Sequence, residues 1–207
     1  MLDLILTNPQ AFITWTVAIV IAITIHEFAH AWTADKLGDP TPRSMGRVSL
    51  NPLDHLDPLG TLLIIIASFG WGKPVPFDPY NLDNPRRDTL LISLAGPASN
   101  LILALLLTLS SALLPKFYLI AWPIIYLNVA LAIFNLVPIP PLDGSKILGS
   151  LLPPDKAIEW EQFGNQYGIY LLIFAILPFG GASLISRFIF PIIDFIVKQL
   201  FQITLFS

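Results

Sequence analysis

The sequence AFITWTVAIVIAITI, residues 11–25, runs directly into HEFAH, residues 26–30, and this stretch decides the fold class. Residues 11–25 contain no charged side chain, and a helix needs about 20 mostly apolar residues to cross a bilayer. The stretch therefore predicts a membrane-spanning helix, from Ala11 to Leu37, with HEFAH near its C-terminal end. Ionisable groups at such depth are costly and usually serve a function.

Residues 26–30 read His-Glu-x-x-His, the zinc-binding and general-base pattern of metalloproteases. On a helix, residues four apart share a face, so the imidazoles of His26 and His30 can reach one ion. Glu27 lies close to the same face and can take a proton from zinc-activated water. The alternative, two buried histidines and a carboxylate that stabilise helix packing, would leave three ionisable groups without partners in an apolar helix.

The composition independently favours a membrane protein. Hydrophobic residues make up 55% of the 207-residue chain, charged residues 12%, and the mean hydropathy is +0.72. A soluble domain is about one quarter charged. The absence of cysteine excludes disulfides and thiolate ligands, and the net charge of −3 does not suggest a nucleic-acid partner. We expect a single membrane-embedded domain over 1–207, with a core at about 11–150 and C-terminal helices at about 166–205.

Further apolar stretches predict the remaining spans. The second is expected over Thr89–Leu114 and the third over Tyr118–Val137. Gly168–Phe201 is too long for one span and is broken by Pro178, Gly180, Gly181 and Pro191, so it predicts one or two C-terminal membrane helices. Leu59–Phe69 suits a re-entrant or half-spanning segment. The predicted class is an all-α polytopic membrane protein with a three-helix catalytic core.

Basic residues predict the topology. Eight of them flank the spans on one side, namely Lys36, Arg43, Arg47, Lys73, Arg86, Arg87, Lys146 and Lys156. The other side has only Lys116, and no Lys or Arg precedes the first span. Because cytoplasmic loops carry the excess of Lys and Arg, we expect the N-terminus outside and the active site toward the cytoplasm.

A catalytic zinc has three protein ligands and one open position, so the pentapeptide leaves one ligand to find. It could be His55, a carboxylate, or both in turn. The prolines within Asn135–Gly144 break the third span where Asp143 appears, and Gly144 permits a turn that directs this carboxylate inward. The alternative role of Asp143 is as the N-cap of a helix that begins near Ser145.

With these motifs the chain resembles the site-2 proteases, zinc metalloproteases that cut substrate proteins within the membrane. The resemblance rests on His26–His30, on Gly96-Pro97-Ala98-Ser99-Asn100, and on Asn135–Gly144, in that order. It implies one Zn²⁺ per chain, held by His26, His30 and Asp143, with Glu27 as the base that activates water. It also implies a membrane-spanning protein substrate and an upstream site-1-type protease as a possible partner.

Three more residues are candidates for substrate binding or oxyanion stabilisation. Asn100 and Asn135 lie in the second and third spans, where amides also commonly form hydrogen bonds between helices. His55 lies in a turn-rich loop and could face the catalytic cavity, although most lone loop histidines are surface or hydrogen-bonded residues. The segment Trp71–Phe77 is a candidate β edge that could accept an extended substrate.

Other function classes remain open at this point. The chain resembles the compact family members that lack PDZ and CBS domains, so gating is expected from loops, C-terminal helices, an oligomer or a prior protease. A catalytically silent chaperone that binds membrane helices, or a metal-binding transport protein, would show the same apolar spans. Such proteins would not need the general base Glu27, and a Glu27→Gln comparison separates them from a protease.

Overall fold

The computed structural model describes residues 2–67, 70–114, 117–179 and 181–205. Phe69, Lys116 and Gly180 of the sequence predictions lie outside the described residues. The helices are α1 (Leu2–Thr7), α2 (Pro9–Lys36), α3 (Thr41–Ser44), α4 (Pro58–Ala67), α5 (Pro85–Leu113), α6 (Tyr118–Asn135), α7 (Asp143–Leu151), α8 (Pro154–Ile176) and α9 (Leu184–Leu205). Short 3₁₀ helices cover Pro52–Asp54 and Pro79–Asn81, and two strands, β1 (Pro178–Phe179) and β2 (Ala182–Ser183), pair antiparallel.

Three helices, α2, α5 and α6, are long and apolar enough to cross a membrane, and no other helix in the described part of the chain meets that test. The all-α polytopic prediction is confirmed. Helix α2 begins where the Asn8 side chain accepts a hydrogen bond from the Ala11 N–H at 3.1 Å and Pro9 fills the first turn. It ends just before Gly38, whose φ of +106° is left-handed.

The three long helices pack against one another, and α9 covers α5 and α6. Small residues dominate the buried contacts, including Ala18, Ala22, Ala104, Ala121 and Ala132. Small side chains let helix backbones approach closely in membrane proteins. The close packing of α2 on α5 brings the pentapeptide of α2 against the first half of α5.

The predicted half-span is a short helix. Helix α4 has 10 residues, about 15 Å at 1.5 Å per residue, which is half the hydrocarbon thickness. The segment that follows, the predicted edge Trp71–Phe77, has no regular secondary structure apart from an isolated antiparallel bridge between Leu56 and Gly72. Both named strands of the described chain lie instead between α8 and α9.

The C-terminal helices differ from the prediction in their bounds. Helix α8 begins at Pro154 rather than near residue 166, because prolines suit a first helical turn and the polar residues after it form its solvated half. Lys156 and Glu159, for example, pair on its exposed surface. Pro191 lies inside α9 instead of ending it, and the helix continues past it with one backbone hydrogen bond fewer.

Candidate metal centre

Three candidate ligand atoms converge where α2, α5 and α7 meet. His26 Nε2, His30 Nε2 and Asp143 Oδ2 form a triangle with all three sides at 3.1 Å. All three residues are buried, and they form the only group of three or more metal-ligating side chains in the described part of the chain. Asp143 follows His26 by 117 positions and His30 by 113, and the fold brings it to the two histidines.

The outward nitrogens of the two histidines decide which inward atoms carry lone pairs. His30 Nδ1 lies 2.7 Å from the Ile92 carbonyl oxygen, which can only accept. This nitrogen therefore carries a proton, and Nε2 is the ring atom that can offer its lone pair to a metal at the centre. His26 Nδ1 lies 2.6 Å from Asn100 Oδ1, and here the orientation of the amide must be settled first.

Asn100 is oriented by acceptors on its other side. Its Nδ2 donates to the Ala22 carbonyl at 3.0 Å and to Asn128 Oδ1 at 2.7 Å. Asn128 is oriented in turn, because its Nδ2 donates to the Ile124 carbonyl at 2.8 Å. The chain of bonds leaves Asn100 Oδ1 as an acceptor, so His26 Nδ1 donates to it and His26 Nε2 is the ring atom available to a metal.

This arrangement fits a zinc ion. Two imidazole nitrogens and a carboxylate oxygen face one another, and these are donor atoms that zinc binds in proteins. Atoms bonded tetrahedrally to zinc at about 2.0–2.1 Å lie about 3.3 Å apart, close to the triangle's 3.1 Å. Gly96 leaves room for the rings, since a Cβ there would lie 2.4 Å from His30 Nε2 and 2.7 Å from His26 Cε1.

Asp143 reaches the centre from the first residue of α7. The positive end of the helix dipole favours an ionised carboxylate at that position. Among the described residues no side chain caps this helix start, so the N-cap alternative is not found. Gly144 serves through close packing rather than through a special turn, because a Cβ there would lie 2.3 Å from the Leu136 carbonyl oxygen.

Glu27 lies on the same helix but is held by a loop. Its Oε2 accepts the Val75 backbone N–H at 3.1 Å. A Cβ on Gly72 would come within 3.7 Å of its Oε1, so the segment 71–77 passes directly over the carboxylate. One oxygen of Glu27 is thereby oriented, and the other is left for a proton.

Arg47 holds the same segment from the other side. Its guanidinium donates to the Pro74 carbonyl at 2.9 Å and to the Lys73 carbonyl, and the side chain is buried at 3% exposure. Burial lowers the pKa of Arg47, while the negative charges of Glu27 and Asp54 act in the opposite direction.

The three candidates for substrate binding or oxyanion stabilisation, Asn100, Asn135 and His55, lie in different surroundings. Asn100 makes the inter-helix hydrogen bonds of the alternative interpretation, and both of its N–H donors are engaged, so none is free for an oxyanion. Asn135 donates to the Leu131 carbonyl of its own helix at 3.0 Å. His55 is fully buried, and its Nε2 contacts the Ser49 carbonyl oxygen at 2.7 Å. Its ring is not in the candidate ligand group.

Sequence reasoning missed Asn128, the Ile92 carbonyl and the role of Arg47. A backbone carbonyl leaves no mark in the sequence, and Arg47 entered only as one more basic loop residue. A signal was available for Asn128, because it is a second amide in an apolar span.

The comparisons with known proteins agree with this geometry. The family model "Peptidase family M50" matches residues 112–177. The chain is 38% identical to the "Putative zinc metalloprotease YwhC" of Bacillus subtilis, over 86% of this chain and 88% of that protein. It is 37% identical to the "Putative zinc metalloprotease Rip2" of Mycolicibacterium smegmatis, over 74% of this chain and 64% of that protein. No solved structure matches the chain.

Proposed function

The chain belongs to peptidase family M50, the site-2 protease family, and we propose that it cuts substrate proteins within their membrane-spanning segments. It is a zinc metalloprotease of the membrane, with three helices able to cross the bilayer. The proposed ligands are His26, His30 and Asp143, and the proposed base is Glu27. The equal-sided triangle of candidate ligand atoms is the observation that carries this proposal.

The chemistry divides between the ligands and the base. Zinc, when bound, supplies a Lewis acid that lowers the pKa of water to about 7. Glu27 Oε2 is engaged by Val75, so Oε1 is the oxygen that accepts the proton of the attacking water. The same carboxylic acid then gives that proton to the leaving amide nitrogen. Apolar helices around the site limit bulk water and favour a membrane-embedded substrate.

A substrate helix must unwind to expose its carbonyls, and non-helical backbone near the site could receive it. Trp71 and Gly72 remain the candidate part of the predicted edge. Residues 73–75 are less suitable, because their backbone groups already bond to His55, Arg47 and Glu27. Asn135 stays a candidate for contact with the unwound strand, since only one of its amide protons is used on its own helix.

The test compares membrane fragments that accumulate in cells expressing the wild type or Glu27→Gln. We expect fragments that end within a membrane-spanning segment with the wild type alone, and intact precursors with the variant. Equal fragment patterns would contradict proteolysis through Glu27. A chaperone or metal transporter would retain its effect in Glu27→Gln.

We also propose that the active site lies toward the cytoplasm, with the N-terminus outside. The eight basic residues counted above support this orientation. The chain has no cysteine, so single substitutions at exposed Met45 and Leu114 give unambiguous labelling sites. An impermeant maleimide added outside intact cells should label Leu114→Cys and spare Met45→Cys; the reverse pattern would contradict the orientation.

A further inference from the structure

Arg47 is a buried arginine that donates hydrogen bonds to two backbone carbonyls. It lies in the loop after α3, and 3% of it is exposed. Burying a guanidinium costs free energy unless its donors find acceptors. Its two terminal nitrogens donate to the consecutive carbonyls of Lys73 and Pro74. Because the guanidinium is planar and donates to two neighbouring carbonyls, it fixes the orientation of the backbone at residues 73–74.

The residue after this segment forms a hydrogen bond with the proposed base, Glu27. The next N–H along the chain belongs to Val75 and donates to Glu27 Oε2. On the other side, Lys73 N–H donates to the His55 carbonyl at 2.7 Å. The tripeptide 73–75 is thus attached at His55, Arg47 and Glu27, and Arg47 supplies the attachment in the middle.

From these contacts we infer that Arg47 is a positioning residue for Glu27, an inference that rests on the function proposed above. It fixes residues 73–74 so that the Val75 N–H holds one oxygen of the Glu27 carboxylate in place. A glutamate side chain has several rotamers, and a misplacement of about 1 Å can lower a rate about 100-fold. Without Arg47 the Val75 N–H loses its fixed position, and Glu27 loses its orientation.

This role differs from a role in substrate binding. The carbonyls of Lys73 and Pro74 and the N–H groups of Lys73 and Val75 are all engaged within the protein. The two N–H groups have no further proton to give to a substrate strand, and both carbonyls already hold the guanidinium. Loss of Arg47 should therefore lower kcat while KM stays near its wild-type value.

The experiment uses the full chain in detergent and, as its probe, a labelled membrane-spanning peptide taken from a fragment that only the wild type produces. Arg47→Gln should lower kcat about 10- to 100-fold with KM within about twofold and with wild-type zinc content. Arg47→Lys should recover part of the loss, because an ammonium can reach one carbonyl but not fork across two. Arg43→Gln is the matched control: it removes an exposed arginine of the same region, paired with Asp35, and should leave both constants unchanged.

A second variant tests the contact itself. Replacing Val75 by its α-hydroxy analogue exchanges the N–H for an ester oxygen and keeps the side chain, and it should reproduce the fall in kcat. The inference is overturned if Arg47→Gln raises KM alone or changes neither constant. It is also overturned if Arg47→Gln loses zinc and activity together while the ester variant stays fully active. If the wild type and Glu27→Gln give the same cleavage products, the proposed function itself is wrong.

Discussion

The two halves of the candidate site are built in different ways. The ligand half, His26, His30, Asp143 and Asn100, stands on helices, and its outward nitrogens bond to groups that are themselves fixed. The base half, Glu27, Arg47 and the segment 73–75, depends on a loop that crosses a helix. The three ligand residues are buried, whereas Glu27 is half-buried and Lys73 and Pro74 are exposed.

This difference suggests separate sensitivities. Metal affinity should depend on helix packing and on the side-chain amides of Asn100 and Asn128, which orient His26. The rate of the chemical step should depend in addition on the loop anchors, which can loosen without disturbing the ligands. Zinc content and cleavage rate, measured together, therefore separate the halves.

The largest effect is expected from Gly96→Ala in the ligand half. The new Cβ would lie 2.4 Å from His30 Nε2, so the ring or the helix must move by an amount that costs about 100-fold or more in activity. Zinc content should fall as well, measured by elemental analysis of the purified protein. Gly149→Ala is the control, because its Cβ would meet Trp160 at an ordinary 3.4 Å; equal zinc in both variants would refute the packing argument.

Asn100→Leu should weaken zinc binding about 10- to 100-fold, the usual cost of losing a partner of a metal-bound histidine. The substitution keeps a similar size but removes the acceptor for His26 Nδ1. Competition with a zinc chelator measures the affinity. Thr108→Val is the matched control, since Thr108 is buried in α5 and its hydroxyl donates to the Ala104 carbonyl of the same helix. Unchanged affinity in Asn100→Leu would mean that the amide does not orient the ligand.

The smallest effect is expected from Asp39→Asn, which lies next to the base half. Asp39 is buried and accepts bonds from Thr41, from Asn81 and from the Asp78 N–H, which follows the segment 71–77. We expect a loss of about 1–2 kcal/mol in the free energy of unfolding at neutral pH, with zinc content unchanged. Loss of zinc at neutral pH would show that the two halves are not separable.

The same residue predicts a pH dependence. Burial acts to raise the pKa of Asp39, but the bonds from Thr41, Asn81 and Asp78 outweigh it and lower the pKa below its ordinary value. A lowered pKa in the folded state stabilises the protein above the unfolded pKa of about 3.9, and this stability is lost as pH falls through the folded value. Thermal unfolding should thus differ between wild type and Asp39→Asn at pH 7 and converge below about pH 4. A constant difference would contradict the assignment.

The sequence predicted the ligand half better than the base half, for a physical reason. Apolar length predicted α2, α5 and α6, the spacing of the histidines predicted a shared face, and the proline break pointed to Asp143. Each of these signals is local in the chain. The contacts of Arg47 to residues 73–74 and of Val75 to Glu27 join distant backbone groups, which no side-chain pattern records. The polar start of α8 was missed because hydropathy registers only its apolar second half.

The central claim is that His26, His30 and Asp143 hold zinc while Glu27 serves the reaction, and zinc stoichiometry with cleavage tests it most directly. We predict about one zinc per chain in the wild type and in Glu27→Gln, with cleavage only in the wild type. Asp143→Ala, purified in parallel, should lose both zinc and cleavage. Full zinc content in Asp143→Ala, or cleavage by Glu27→Gln at the wild-type rate, would contradict the account.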